Sequence, residues 1–383
     1  MNVPFQSIRY GLNESFAGQI KWTVHPLHRT PSVERERLTM PRVRSDKGKG
    51  KSAILPLAKT TRIGIVLYSG AKLSAVHGLT DLFLVANGFS AEQGGEYPGE
   101  LQISHWGADK ETARLECVFE THPNQQSQPD CLIFPPTLEI DPKTEVTDNL
   151  LAWAKAQHAS GTLLCSVCGG AFLLAHLGLL NGRSATTHWS YSELLATRFP
   201  EICVDTDQLI IDLGDVVTAG GMMAWLDLGL RLVDRYLGPV VMMRTAQFFL
   251  ADPAGRQQRF YANFSPPLHH GDAAVLKVQL WLQALTSEQM TVDKMAAKAK
   301  LGQRTFLRRF QKATGLTPTE YVQHLKVQKA RELLEFTTLS MKEISWKVGY
   351  EDVGFFRKTF QKFIGLPPVD YRRRFGTGDR MTN

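Results

Sequence analysis

Two stretches near the C-terminus share one plan, and this duplication constrains the fold more than any other feature of the chain. "MAAKAKLGQRTFLRRF" (295–310) and "ISWKVGYEDVGFFRKTF" (344–360) each read as a short helix, a turn at "LG" or "GY", and a second helix bearing aromatic and cationic residues. Phe306 and Phe310 are four apart, as are Phe356 and Phe360, so each pair falls on one buried helix face. Arg304 and Arg308 recur at the same spacing on another face. Aromatics that grip a core while arginines project from it describe a recognition helix, whose guanidiniums can bond guanine O6 and N7 in a major groove.

The segment between the two units, "TGLTPTEYVQHLKVQKARELLEF", carries an apolar stripe at Tyr321, Leu325, Ala330, Leu333 and Leu334. This predicts one long helix that holds the units at fixed separation, so that one chain reads two successive major-groove segments about 34 Å apart. Charge agrees with that reading. Residues 291–376 hold 18 Lys+Arg against 8 Asp+Glu, a net +10, whereas residues 61–290 hold 14 against 24, a net −10. Such segregation points to a polyanionic partner for the C-terminal block alone. An all-helical protein-interaction domain with a basic surface is the plain alternative.

Residues 1–60 are basic too, with 11 Lys+Arg against 4 Asp+Glu, but lack sustained periodicity, and we read them as a disordered tail. Met40 is an alternative start. "GKGKS" in this tail is not a phosphate loop, because Ser45 stands where that motif needs glycine. The five cysteines are odd in number and scattered, which argues for a reducing compartment. No apolar run approaches the roughly 20 residues of a membrane span, and the N-terminus does not read as a signal peptide, so the expected location is the cytoplasm.

In the middle of the chain, "RIGIVLY", "LQISHWG", "CLIFP", "GTLLCSV", "QLIIDL" and "VVTAGG" are short β-rich runs separated by helical patterns at 79–87, 147–159, from Gly169, and 222–236. This alternation predicts an α/β doubly wound parallel sheet, in which ligands gather at the carboxyl ends of strands. Cys168 falls at such an end, in "SVCGGAFLLAHLGLLNGRSATTHW". The small residues after it permit a sharp strand-to-helix turn that exposes the side chain, and the helix N-terminus would lower the thiol pKa toward thiolate. A small buried hydrophobe is the alternative reading. Cys165 and Cys168 spell C-x-x-C, but Cys165 lies inside the strand, unlike a redox pair.

That stretch, with "VVTAGGMMAWLDLGLRLVDRYLG" downstream, resembles the PfpI/ThiJ-like superfamily, whose flavodoxin-like fold is related to class I glutamine amidotransferases. "ATTHW" is specifically similar to GlxA-type transcriptional regulators. The resemblance maps an elbow cysteine onto Cys168 and its histidine onto His188. Catalytic members place an acid where this chain has Ala75, a histidine where it has Gly169, and an oxyanion loop where Pro136 removes an N–H and Thr137 keeps one. No catalytic residue is therefore expected. Cys168, His188 and Trp189 are expected to edge a metabolite pocket, with Trp189 and Trp225 either offering an ammonium group a cation–π face or packing in the core.

"GYEDVGFFRKTFQKFIGLPPVDYRRRF" is similar to the C-terminal signature of the AraC/XylS family, including Gly349, Phe356, Phe360, Gly365, Pro367 and Tyr371. This resemblance implies an all-α domain with two helix-turn-helix units. It places DNA contacts on Arg304, Thr305, Arg308, Arg309 and Lys312 in the first unit, and on Val353, Gly354, Arg357, Lys358 and Lys362 in the second. Gly302 replaces the usual N-cap serine, and Val353 and Gly354 bring no polar side chain to base edges, so looser sequence demand is expected there.

The expected layout is a tail at 1–60, a sensor and dimerisation domain at 61–250, a flexible linker at 251–274, a DNA-binding domain at 275–376, and a tail at 377–383. His269 and His270 in the linker lack ligand-spaced partners and read as surface residues; no metal and no cofactor is expected. The whole reads as a transcriptional regulator, an activator, with promoter DNA, a small-molecule inducer, RNA polymerase and a second copy of the chain as partners; the resemblance implies that the inducer contains nitrogen. A bifunctional protein with cysteine hydrolase or glyoxalase-type chemistry at Cys168, and a DNA binder with a vestigial sensor, remain the alternatives.

Overall fold

The computed structural model describes residues 60–93, 99–109, 114–123, 128–139, 145–252, 257–284 and 290–377. The expected tail lies outside these apart from Thr60, as do residues 378–383. The described residues make one compact unit.

The strands are β1 (Thr60–Leu67), β2 (Glu100–Ala108), β3 (Leu115–Glu120), β4 (Cys131–Phe134), β5 (Leu163–Val167), β6 (Ser184–Ala185), β7 (Cys203–Val204), β8 (Ile210–Asp212) and β9 (Val216–Ala219). Seven of them form one sheet in the order β3-β2-β1-β4-β5-β9-β8, and β6 pairs with β7 apart from it. The five central strands are parallel, while β3 and β8 run antiparallel at the edges. Both edges result from connections too short for a crossover, which force the chain to turn back on the strand it has just left. The sequence reading missed β3 because "LECVFE" is an edge strand without clean apolar alternation.

The strands β4 and β5 are wholly buried, as central strands covered on both sides must be. Ile63, Ile65, Cys131, Ile133 and Cys165 face one layer, made by α1 (Leu73–Gln93), α5 (Trp225–Leu237) and α6 (Pro239–Phe248). Val66, Leu132, Phe134 and Leu164 face the other, made by α2 (Glu145–Ala159), α3 (Ala171–His176) and α4 (Ser192–Arg198). The result is the expected doubly wound domain.

The C-terminal helices are α7 (Ala273–Ala284), α8 (Val292–Ala299), α9 (Gln303–Thr314), α10 (Pro318–Phe336), α11 (Met341–Lys347), α12 (Val353–Ile364) and α13 (Pro368–Phe375). They build two cores. Val275, Val278, Met295, Phe306, Phe310 and Tyr321 form the first, while Val327, Ala330, Leu334, Ile344, Phe356, Phe360 and Tyr371 form the second. The long connector α10 serves both, so its buried stripe turns with the cores: Val327 and Arg331 are buried, whereas Leu325 and Leu333 are only partly so. Capping boxes at Thr317/Glu320 and Ser340/Glu343 start α10 and α11.

Residues 257–274 of the segment expected as a flexible linker are instead packed. Gln258 and Phe260 are buried, and the rings of Phe264 and His324 stack with centroids 4.4 Å apart. His269 is exposed, as expected, but His270 is not a free surface residue. Its Nδ1 accepts the Asp272 amide at 3.0 Å, and its Nε2 meets Gln279 Oε1 at 2.7 Å. Local composition marked this stretch as turn-forming; only its long-range contacts remove its freedom.

Candidate functional site

At the carboxyl ends of the strands, β5 stops at Val167 and Cys168 takes φ of 55°, a left-handed conformation uncommon for a residue with a Cβ. A short 3-10 turn, Cys168–Gly170, leads into α3. Glycine at 169 is a spatial requirement: a Cβ there would fall on the carbonyl oxygen of Thr137, in the loop after β4. That loop is fixed, since Pro136 O accepts the Lys72 amide at 2.9 Å and Tyr68 donates its hydroxyl to Pro135 O.

The thiol is not the exposed thiolate that the elbow geometry suggested. Cys168 is 1% exposed, and burial pushes its pKa up to about 11 against the opposing hydrogen bond from the Gly169 amide. Desolvation outweighs the dipole because α3 has only six residues and the sulfur sits in the core. Burial also raises the pKa values of Tyr68 and Tyr191, and an ionised Cys168 would raise both further. His188 Nδ1 is held by Ser190, 2.7 Å from its Oγ and 3.2 Å from its amide, and burial lowers the His188 pKa. Among the described residues no hydrogen bond joins Cys168 to His188. Instead Thr187 Oγ1 donates to the Cys168 carbonyl at 2.8 Å. Ala75, where an acid would be needed, is buried in α1. Iodoacetamide at pH 8 should therefore modify exposed Cys203 well before Cys168; equal rates in peptide mapping would contradict the protonated, buried thiol.

Of the residues expected to edge one pocket, the His188 and Trp189 rings lie with centroids 5.3 Å apart. Trp189 lines a cavity of about 420 Å³, together with Arg259, Phe264, His324, Arg331 and Phe363, and Cys168 is not part of that lining. Trp225 packs over Gly78 of α1 within the core, and its Nε1 has no hydrogen-bond partner among the described residues. Of its two readings, core packing is the one observed. Cys165 lies with its sulfur 3.6 Å from Cys131 on the neighbouring strand.

The two helices expected to face DNA are α9 and α12. On α9, Arg304, Thr305, Arg308 and Lys312 are exposed while Phe306 and Phe310 are fully buried. Gly302 gives α9 no side-chain cap. On α12, Gly354, Arg357, Lys358 and Lys362 are exposed, Val353 is half-buried, and Asp352 caps the helix through the Gly354 amide at 2.7 Å. Phe355, which the sequence reading passed over, is 53% exposed beside them. Its neighbour Phe356 fills the aromatic position of the motif, so spacing alone did not separate the two.

Arg309, expected among the DNA contacts, is engaged within the protein. Its guanidinium makes a bidentate pair with Asp272, both bonds 2.7 Å, and so ties α9 to the start of α7. This ion pair holds the Asp272 carboxyl at about 2, from an ordinary 3.8. A depressed folded-state pKa contributes stability that is present above 3.8 and lost as pH falls toward about 2. Asp272→Asn should lower the melting temperature at pH 7 and flatten its fall between pH 4 and about 2. An unchanged acid profile would show the pair to be unimportant.

Comparison with known proteins gives each half its own relatives. Residues 113–235 match the DJ-1/PfpI family, and residues 295–374 match a helix-turn-helix domain. The HTH-type transcriptional regulator GbdR of Pseudomonas aeruginosa is 27% identical over 64% of this chain and 66% of its own length. The HTH-type transcriptional regulator GlxA of Rhizobium meliloti is 27% identical over 57% of this chain and 67% of its own. This chain thus spans about two thirds of each relative. The crystal structure of an AraC family transcriptional regulator from Pseudomonas putida covers 49% of this chain and 99% of its own, with 19% identity and a TM-score of 0.38.

Proposed function

Because the chain joins a DJ-1/PfpI domain to an AraC-type helix-turn-helix domain, we propose that it is a transcriptional activator that binds promoter DNA in response to a small nitrogen-containing metabolite. The observation that carries this reading is the pair of recognition helices, which turn Arg304, Arg308 and Lys312, and then Arg357, Lys358 and Lys362, toward solvent from cores built on buried phenylalanines. Cations carried in this way serve backbone neutralisation and base reading together. A cytoplasmic homodimer that contacts RNA polymerase completes the proposal. Among the described residues no helix is long and apolar enough to cross a membrane.

The DJ-1/PfpI half acts as a sensor rather than an enzyme in this reading. A protonated, buried thiol is a poor nucleophile, His188 is engaged with Ser190, and no side chain fits at position 169. The test is binding of the full chain to a duplex selected from random sequence, against unselected DNA, over a salt series. A preference of about 10³ or more supports the regulator. Equal and steeply salt-dependent binding of both duplexes would reduce the C-terminal half to a nonspecific anchor.

A further inference from the structure

Gln258 is 3% exposed, yet it belongs to the segment between the two halves. Its primary amide is inserted into the DJ-1/PfpI half. Nε2 donates to Thr187 O at 2.9 Å, and lies 3.0 Å from Thr186 Oγ1 and 3.3 Å from Gln208 O. Oε1 accepts the Trp189 amide at 3.2 Å. The socket is shaped for this group: a Cβ on Gly220, just after β9, would occupy the place of the Gln258 amide. Thr186 is itself fixed, its amide donating to Thr218 Oγ1 at 2.9 Å and its hydroxyl to Gln208 O at 2.9 Å.

The residues that follow Gln258 hold the second helix-turn-helix unit. Arg259 lies against Gly365, the left-handed residue that ends α12. Tyr261 accepts a hydrogen bond from Arg374 at 2.9 Å, and Ala262 O accepts one from buried Arg331 on α10. Phe264 stacks on His324, whose ring packs 4.4 Å from that of Phe363 on α12. Burial drives the His324 pKa down to about 4, so the ring is neutral at pH 7 and stacks as an aromatic.

One residue joins this plug to the elbow. Thr187 gives its hydroxyl to the Cys168 carbonyl and its carbonyl to Gln258. A shift of the elbow therefore cannot leave the socket unchanged, and a shift of Gln258 moves the chain that grips α10 and α12. We propose that Gln258 is the positioning residue through which the state of the Cys168 elbow sets the orientation of the second helix-turn-helix unit. Glutamine suits the role because one planar amide supplies both donors and the acceptor that the socket requires.

The proposal rests on the regulator reading, and its test separates the two. Affinity for a duplex selected by the wild-type full chain is measured for Thr187→Val, Gln258→Met and the double variant. The valine removes only the hydroxyl, and the methionine keeps the length and volume of the plug. Each single change is expected to shift the dissociation constant, and the double to depart from the product of the two by at least about 3-fold. Independent effects, or unaltered binding by Gln258→Met, overturn the relay while leaving the regulator intact. If Gln258→Met does not fold, judged by thermal melting, Gln258→Asn replaces it. Hydrogen exchange gives a readout without DNA: Thr187→Val should speed exchange of the amides at 258–264, and unchanged exchange overturns the relay even if the wild type shows no DNA preference.

Discussion

Replacing Arg304 and Arg308 with alanine should erase the preference for a selected duplex over random DNA. Both side chains are exposed, neither needs an internal partner to hold α9, and the face they share lies opposite Phe306 and Phe310. A bidentate arginine–guanine contact is worth about 1–3 kcal/mol, so the pair should cost about 2–6 kcal/mol on the selected site if their effects add. Most of that loss should be absent on random DNA. Lys362→Ala serves as the contrast, weakening all sequences alike and reducing the salt slope by about 1. Equal losses on selected and random DNA from the arginine pair would remove it from base reading. Arg309→Ala belongs to neither class; its loss should appear first as lower stability, because Asp272 would be left without its partner.

Gly169→His, which writes the protease histidine back into the elbow, should destabilise the DJ-1/PfpI half without creating a hydrolase. The new Cβ would meet a backbone oxygen of Thr137, a residue 1% exposed in a loop held at both of its prolines. Overpacking of this kind costs about 1–3 kcal/mol and occasionally more. For a domain of about 150–250 residues each kcal/mol lowers the melting temperature by about 2–4 °C. A variant that melts like the wild type and turns over an amide or ester substrate would show that the elbow is dormant rather than closed. Pro136 argues against that outcome independently, since it offers no N–H to an oxyanion.

What could be read in the sequence was local. The spacing of Phe306 with Phe310 and of Phe356 with Phe360 requires only the period of an α-helix, and all four are fully buried as that period demands. The elbow after "GTLLCSV" was legible for the same reason, since a strand, a strained residue and two glycines are neighbours in sequence. The departures are all long-range. Whether Cys168 ionises depends on the strands and helices that exclude water from it, and sequence position alone left an exposed thiolate and a buried thiol both open. Arg309 looked like its exposed neighbours until Asp272, distant in the chain, took its guanidinium. Trp189 lines a cavity whose other walls come from Arg259, Phe264 and His324, far along the chain, and nothing local distinguishes Gln258 from Gln257. The sequence alone determined that α9 and α12 form and which aromatic faces they bury, because periodicity is written residue by residue. Only the tertiary structure decided which polar groups remain free to act, because desolvation and ion pairing are set by atoms that folding brings from elsewhere in the chain.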